Sequence, residues 1–175
     1  MSTPVHTLAE RLTAVRGAVS SESLSALHAR YSALPAPVNG SGSAEYLREA
    51  AARVQVREAI AAHHLCSPAL HRQLASDSSR HVRAVVASVA SDGVVLNLLA
   101  TDRESQVRER VCYNLSTPQY LVRVLSEDED PMVRLAAESQ LEAPAFETGS
   151  ITHIPHYGER RVYEGVGVRE LQLAA

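Results

Sequence analysis

The chain has 175 residues, a formal net charge of −3, 45% hydrophobic residues and 21% charged residues. These values match a folded domain and exclude global disorder. They also lack the basic excess that serves nucleic-acid binding.

All 17 cationic residues are Arg, Trp is absent and Phe occurs once, so Ala, Val and Leu must build the core. Apolar runs are too short for a spanning helix. Residues 1–20 carry Glu10, Arg11 and Arg16 within their apolar pattern, so no signal peptide is expected. Two cysteines, Cys66 and Cys112, are too few for a disulfide framework or a four-ligand zinc site. A cytoplasmic setting without membrane contact is the expectation.

Residues 1–34 predict two short helices. Val5, Leu8, Leu12, Val15 and Val19 recur at steps of three and four, and Gly17 with Ser20 and Ser21 interrupts the run. Leu24, Leu27, Tyr31 and Leu34 continue it, with Ser21 as the expected N-cap. Helices this short need a packing partner, so a helical hairpin is expected. Residues 35–43, with two prolines and two glycines, read as a flexible linker.

Residues 44–143 are helical and repetitive. Val-Arg recurs at Val56-Arg57, Val82-Arg83, Val107-Arg108 and Val133-Arg134, with spacings of 26, 25 and 26 residues. Asp77, Asp102 and Asp128 each stand six residues before Arg83, Arg108 and Arg134. Leu65-Cys66-Ser67-Pro68 and Leu115-Ser116-Thr117-Pro118 share a Leu-x-x-Pro break, with each proline expected in a first helical turn after a Ser or Thr cap. In the middle unit Asp92 is the expected cap. Val82, Val85, Val86 and Val89 mark one helix face, as do Val107, Val111 and Leu115. A fixed period of this length signals a stacked repeat array.

Over residues 56–140 this pattern resembles the leucine-rich repeat variant, a relative of the HEAT-like α-solenoids. The resemblance rests on Val-Arg, Ser/Thr-Pro, the paired leucines and the aspartate before the next arginine; the unit Val107–Asp128, with Asn114, carries it best. It implies an all-α fold, a short right-handed α-solenoid of short helices in two layers. The cysteine cluster that holds an iron–sulfur centre in some family members is absent ahead of these repeats, so no cofactor is expected. Repeats bury their faces only against neighbours, so the ends need caps. Helix 44–64, with Leu47, Ala51, Val54 and Ile60 inward, is expected to cap the N-terminal end.

Residues 144–175 change character. Ile151–Ile154, Arg161–Tyr163 and Val166–Val168 lean towards β structure, giving an extended C-terminal arm suited to assembly.

The regular polar feature is a structural ladder of Asp77, Arg83, Asp102, Arg108, Asp128 and Arg134. Each arginine is expected to pair with the aspartate six residues earlier and to satisfy turn carbonyls, because the guanidinium fork can serve both. His63, His64 and His71 are close in sequence but lack a carboxylate at ligand spacing, as does His153-Ile-Pro-His156, so surface or turn roles are expected and no metal. Cys112 is expected as a small buried hydrophobe and Cys66 as the more exposed thiol. Glu127-Asp128-Glu129-Asp130 concentrates negative charge and would steer a basic partner.

No phosphate loop, nucleophile elbow or zincin motif occurs. HEAT-like folds include a DNA glycosylase family, but residues 44–143 hold 11 Arg against 14 Asp and Glu, with Tyr46, Tyr113 and Tyr120 as their aromatics. The expectation is therefore a non-enzymatic protein–protein interaction or assembly module, binding a protein partner or a second copy of itself. It could be a structural subunit of a larger complex or particle docked through its terminal arms. Expected contact residues are Arg110, Tyr113, Tyr120 and Arg123, with Glu127, Glu129 and Asp130 beside them. The alternatives are a nucleic-acid-binding HEAT-like protein, which the charge balance opposes, and a small HEAT-like enzyme or lyase, which would need a reactive Cys66 or histidine.

Overall fold

The computed structural model describes residues 7–32 and 43–142, and among these all regular structure is helical. The order is α1 (Leu8–Arg16), α2 (Ser21–Ser32), α3 (Ala44–Ala61), α4 (Pro68–Leu74), α5 (Arg80–Val89), α6 (Gly93–Leu99), α7 (Ser105–Tyr113), α8 (Gln119–Leu125) and α9 (Pro131–Glu142). The expected linker falls mostly outside the described residues, and the expected β-leaning arm wholly so.

Local chemistry sets the helix starts. Thr7 and Glu10 form a reciprocal capping box on α1. Ser43 and Ser67 cap α3 and α4, with Pro68 in the first turn of α4. Asp92 caps α6 by accepting from the Val94 amide at 2.9 Å. Two expected caps are corrected. The Ser20 hydroxyl, one residue earlier than Ser21, accepts from the Ser23 amide at 3.2 Å. Pro118 stands just before α8 rather than inside it, and Thr117 donates to the Val111 carbonyl at 2.6 Å instead of capping.

Packing follows the repeat. Helix α3 meets α5, α5 meets α7 and α7 meets α9. The short helices α4, α6 and α8 each touch the long helix before and the long helix after. Val56, Val82, Val107 and Val133, the valines of the four Val-Arg pairs, are all fully buried. Burying a valine contributes roughly 1.5–3 kcal/mol, so the repeated valine is the central apolar contact of each unit.

Helix α3 is not an end cap. Helices α1 and α2 pack on it, burying Val15, Leu24 and Tyr31. Arg11 donates to Glu49 of α3 at 3.0 Å, and the guanidiniums of Arg11 and Arg53 stand 5.4 and 5.8 Å from the Tyr31 ring. With neighbours on both sides, α3 buries Val56, Arg57, Ile60 and Ala61. Leu47 and Ala51, expected inward, are exposed. The helix ends at Ala61 rather than at residue 64. Likewise α7 stops at Tyr113, leaving Leu115 beyond the helix and 83% exposed.

Candidate interaction surface and the arginine ladder

The arginines form a continuous chain of bonds, with the turn carbonyls expected but with other carboxylates. Arg83 Nε and Nη2 donate to Asp102 Oδ2 and Oδ1 at 2.7 and 2.9 Å. Arg108 does the same to Asp128 at 2.7 and 2.8 Å. The carboxylate therefore comes from the next Asp-containing turn, 19 or 20 residues ahead, and not from the aspartate six residues behind. That earlier aspartate contributes its backbone: Arg83 Nη1 donates to the Asp77 carbonyl at 2.8 Å, and Arg108 Nη1 to the Asp102 carbonyl at 2.7 Å. Each aspartate also accepts from the amide two residues on, at Ser79, Glu104 and Asp130, which fixes its own turn.

Arg57 is a further rung. It holds Asp77 at 2.7 and 3.2 Å. No turn precedes it within α3, and the Tyr31 carbonyl of α2 takes its Nη1 at 3.0 Å. The hairpin thus supplies the acceptor that each later arginine takes from the turn just before its helix. Arg134 closes the series on the Asp128 and Glu129 carbonyls at 2.7 and 3.0 Å.

These pairs are shielded: the side chains of Arg83 and Asp102 are 6% and 8% exposed. Burial pushes the Asp102 carboxyl up, yet the bonds from Arg83 and the Glu104 amide outweigh it and hold it below the usual carboxylate range. For Asp128 the Arg108 bond dominates and lowers the carboxyl against a smaller burial penalty. Arg83 and Arg108 are raised in turn, chiefly by bonds to their aspartates. Among the described residues no buried side-chain polar atom lacks a hydrogen-bond partner. The ladder is therefore satisfied where it is buried, and its chemistry is that of a clamp between units.

The acidic run is divided by this arrangement. Asp128 belongs to the ladder. Asp130 accepts from the Met132 amide at 2.8 Å at the start of α9, and bonds from the Ser105 side chain and that amide hold its carboxyl low. Only Glu127 and Glu129 are exposed, and Glu129 also accepts from Arg108 at 3.3 Å. Two of the four carboxylates, Asp128 and Asp130, are thus engaged in turns of the fold, while Glu127 and Glu129 stand exposed.

Arg110 and Tyr113 are exposed on α7, and Tyr120 and Arg123 on α8. Tyr120 exchanges hydrogen bonds with the Asn97 amide of α6 at 2.7 and 3.0 Å, tying the two short helices together. Val94 and Leu98 of α6 and Tyr120 and Val124 of α8 are all exposed, at positions 26 residues apart in successive units. The same positions on α4 carry Ala69 and Gln73. The α6–α8 face is thus apolar where its predecessor is not, and Arg123 borders it.

His71 and His63 make bonds within the fold. Buried His71 places Nε2 2.9 Å from the Ala61 carbonyl, and His63 Nδ1 accepts from the Leu65 amide at 3.1 Å. Among the described residues no group of three or more His, Cys, Asp or Glu could hold a metal. Burial pushes the Cys66 and Cys112 thiols up to about 11, so neither forms a ready thiolate near neutral pH. No described helix is long and apolar enough to cross a membrane. No family model matches the chain, and no curated protein or solved structure matches it either.

Sequence reasoning missed three things. Arg57 carried the Val-Arg signal but has no aspartate six residues before it. Asn114, noted as a motif residue, spans units by donating to the Ala87 and Ala90 carbonyls at 2.7 and 2.8 Å. Val94, Leu98 and Val124 drew no surface role from the sequence, yet all three are exposed.

Proposed function

We propose that this chain is a short right-handed α-solenoid of HEAT-like repeats that acts as a non-enzymatic protein-interaction or assembly module in the cytoplasm. The single observation that carries this reading is the α6–α8 face: Val94, Leu98, Tyr120 and Val124 lie exposed on adjacent helices while the equivalent α4 positions are Ala69 and Gln73. Large apolar side chains grouped this way on a surface mark a docking site. The occupant that fits is an amphipathic helix of a partner protein, with its apolar stripe on these four residues and a carboxylate towards Arg123. Tyr and Arg are strong anchors at such interfaces. The protonated state of both thiols and the engaged polar groups of the ladder favour binding over catalysis.

The test compares proteins retained from the native source by wild-type chain and by Val94→Glu and Val124→Glu variants. Both sites are exposed, so melting temperatures should stay unchanged. Selective loss of a retained protein by both variants is expected. An identical retained set would remove the α6–α8 face from the reading. Binding to DNA or RNA that weakens steeply with salt would favour the nucleic-acid alternative.

A further inference from the structure

Among the described residues, the ladder ends on an arginine with half of its fork unpaired. In Arg57, Arg83 and Arg108 the Nε–Nη2 edge holds the carboxylate of the turn 19 or 20 residues ahead. Arg134 uses Nη1 alone, on two backbone carbonyls, and among the described residues it forms no ion pair, though the Asp128 carboxylate is near enough to feel its charge. One turn along the same helix stands Glu138, which is exposed. Its counterparts are Ala87 on α5 and Cys112 on α7, both buried, with Cys112 Sγ 3.9 Å from the Val133 carbonyl of the following helix. The side of α9 that corresponds to the unit-to-unit seam therefore carries a cation and, four residues on, an anion. Leu135 is 58% exposed beside them, and Leu141 is partly buried.

This pair of charges restricts what can cover α9. Another unit stacked in the same way would satisfy Arg134 but bury Glu138 without a partner, which is costly. A basic surface would do the reverse. A surface that satisfies both must present an anion and a cation one helical turn apart, in opposite order. A second α9 running antiparallel does so by symmetry, because each helix places its Arg134 opposite the other's Glu138. That is the self-complementarity of a two-fold contact.

We propose that the open side of α9 is a homodimer interface in which two copies of this chain pair antiparallel through reciprocal Arg134–Glu138 contacts. The interface closes the C-terminal end of the ladder, as the α1–α2 hairpin closes the other end at Arg57. It is separate from the α6–α8 face, and dimer mass is read without any partner present, so the two readings fail independently.

The experiment is sedimentation velocity on the full chain over a range of concentrations. A species of twice 18.9 kDa is expected. Glu138→Arg, at an exposed site that leaves folding intact, should raise the dimer dissociation constant about tenfold or more through like-charge contact. Arg134→Glu also gives up the Asp128 and Glu129 carbonyls and should melt lower, but below its melting temperature it should weaken the dimer likewise. Mixing these two variants should restore association, because each supplies the charge that the other now needs. A chain that is monomeric throughout overturns the proposal, as does a dimer indifferent to Glu138→Arg or a mixture that fails to associate.

Discussion

Arg83 reaches forward to Asp102 with two parallel hydrogen bonds while its third nitrogen reaches back to the Asp77 carbonyl. One guanidinium thereby joins two consecutive turns. Because Asp102 is itself gripped through its carbonyl by Arg108, each rung fixes the position of the next.

Removing a rung should cost far more than an exposed salt bridge. Arg108→Ala leaves Asp128 shielded without its cation, and a loss of about 3–5 kcal/mol in urea unfolding is expected. Arg108→Lys keeps the charge but cannot hold a carboxylate and a carbonyl together, so a loss of roughly 2 kcal/mol should remain. If Arg108→Ala shifted the midpoint no more than a surface substitution, the clamp role would be wrong.

The ladder also predicts an acid limb. Asp102 and Asp128 have lowered folded-state values, so their stabilisation is complete above the unfolded carboxylate value of about 4 and is lost as pH falls through the folded values. Asp102→Asn should be destabilised by about 3 kcal/mol at neutral pH. The gap between this variant and wild type should narrow as pH drops below about 4. A gap independent of pH would show that the charge of Asp102 contributes nothing.

Asn114→Ala removes donors from the Ala87 and Ala90 carbonyls, and a loss of about 2 kcal/mol is expected by thermal or chemical unfolding. Neighbouring Leu115→Ala should change stability by no more than about 0.5 kcal/mol, since Leu115 is largely exposed. Equal effects at the two positions would contradict the packing described.

The hairpin should melt with the repeats. Leu24 is fully buried, and Leu24→Ala should cost about 3 kcal/mol. The whole transition should shift as one, because Arg57 depends on the Tyr31 carbonyl. A separate early transition confined to α1 and α2 would show that the hairpin folds independently.

Both thiols should react slowly with a labelling reagent at pH 8, since burial holds their values near 11. Cys112, which is buried, should be the slower, with labelling that tracks opening of the fold, and half-buried Cys66 the faster. A fast thiol at either position would favour the enzyme alternative.

The sequence by itself determined the helical content, the period and all ladder residues except Arg57, because valine burial and turn chemistry repeat locally. It also marked Tyr113, Tyr120, Arg110 and Arg123, which the fold leaves exposed. Only the tertiary structure decided which arginine meets which carboxylate. An offset of six residues looked like the shorter reach, yet packing one long helix against the next brings an aspartate 20 residues away to 2.7 Å. The same packing made Arg57 a rung through a carbonyl of α2 and turned Val94, Leu98 and Val124 outward. Hydrophobic periodicity says that a residue seeks a partner; which partner comes within a hydrogen bond's length is fixed by how the helices stack.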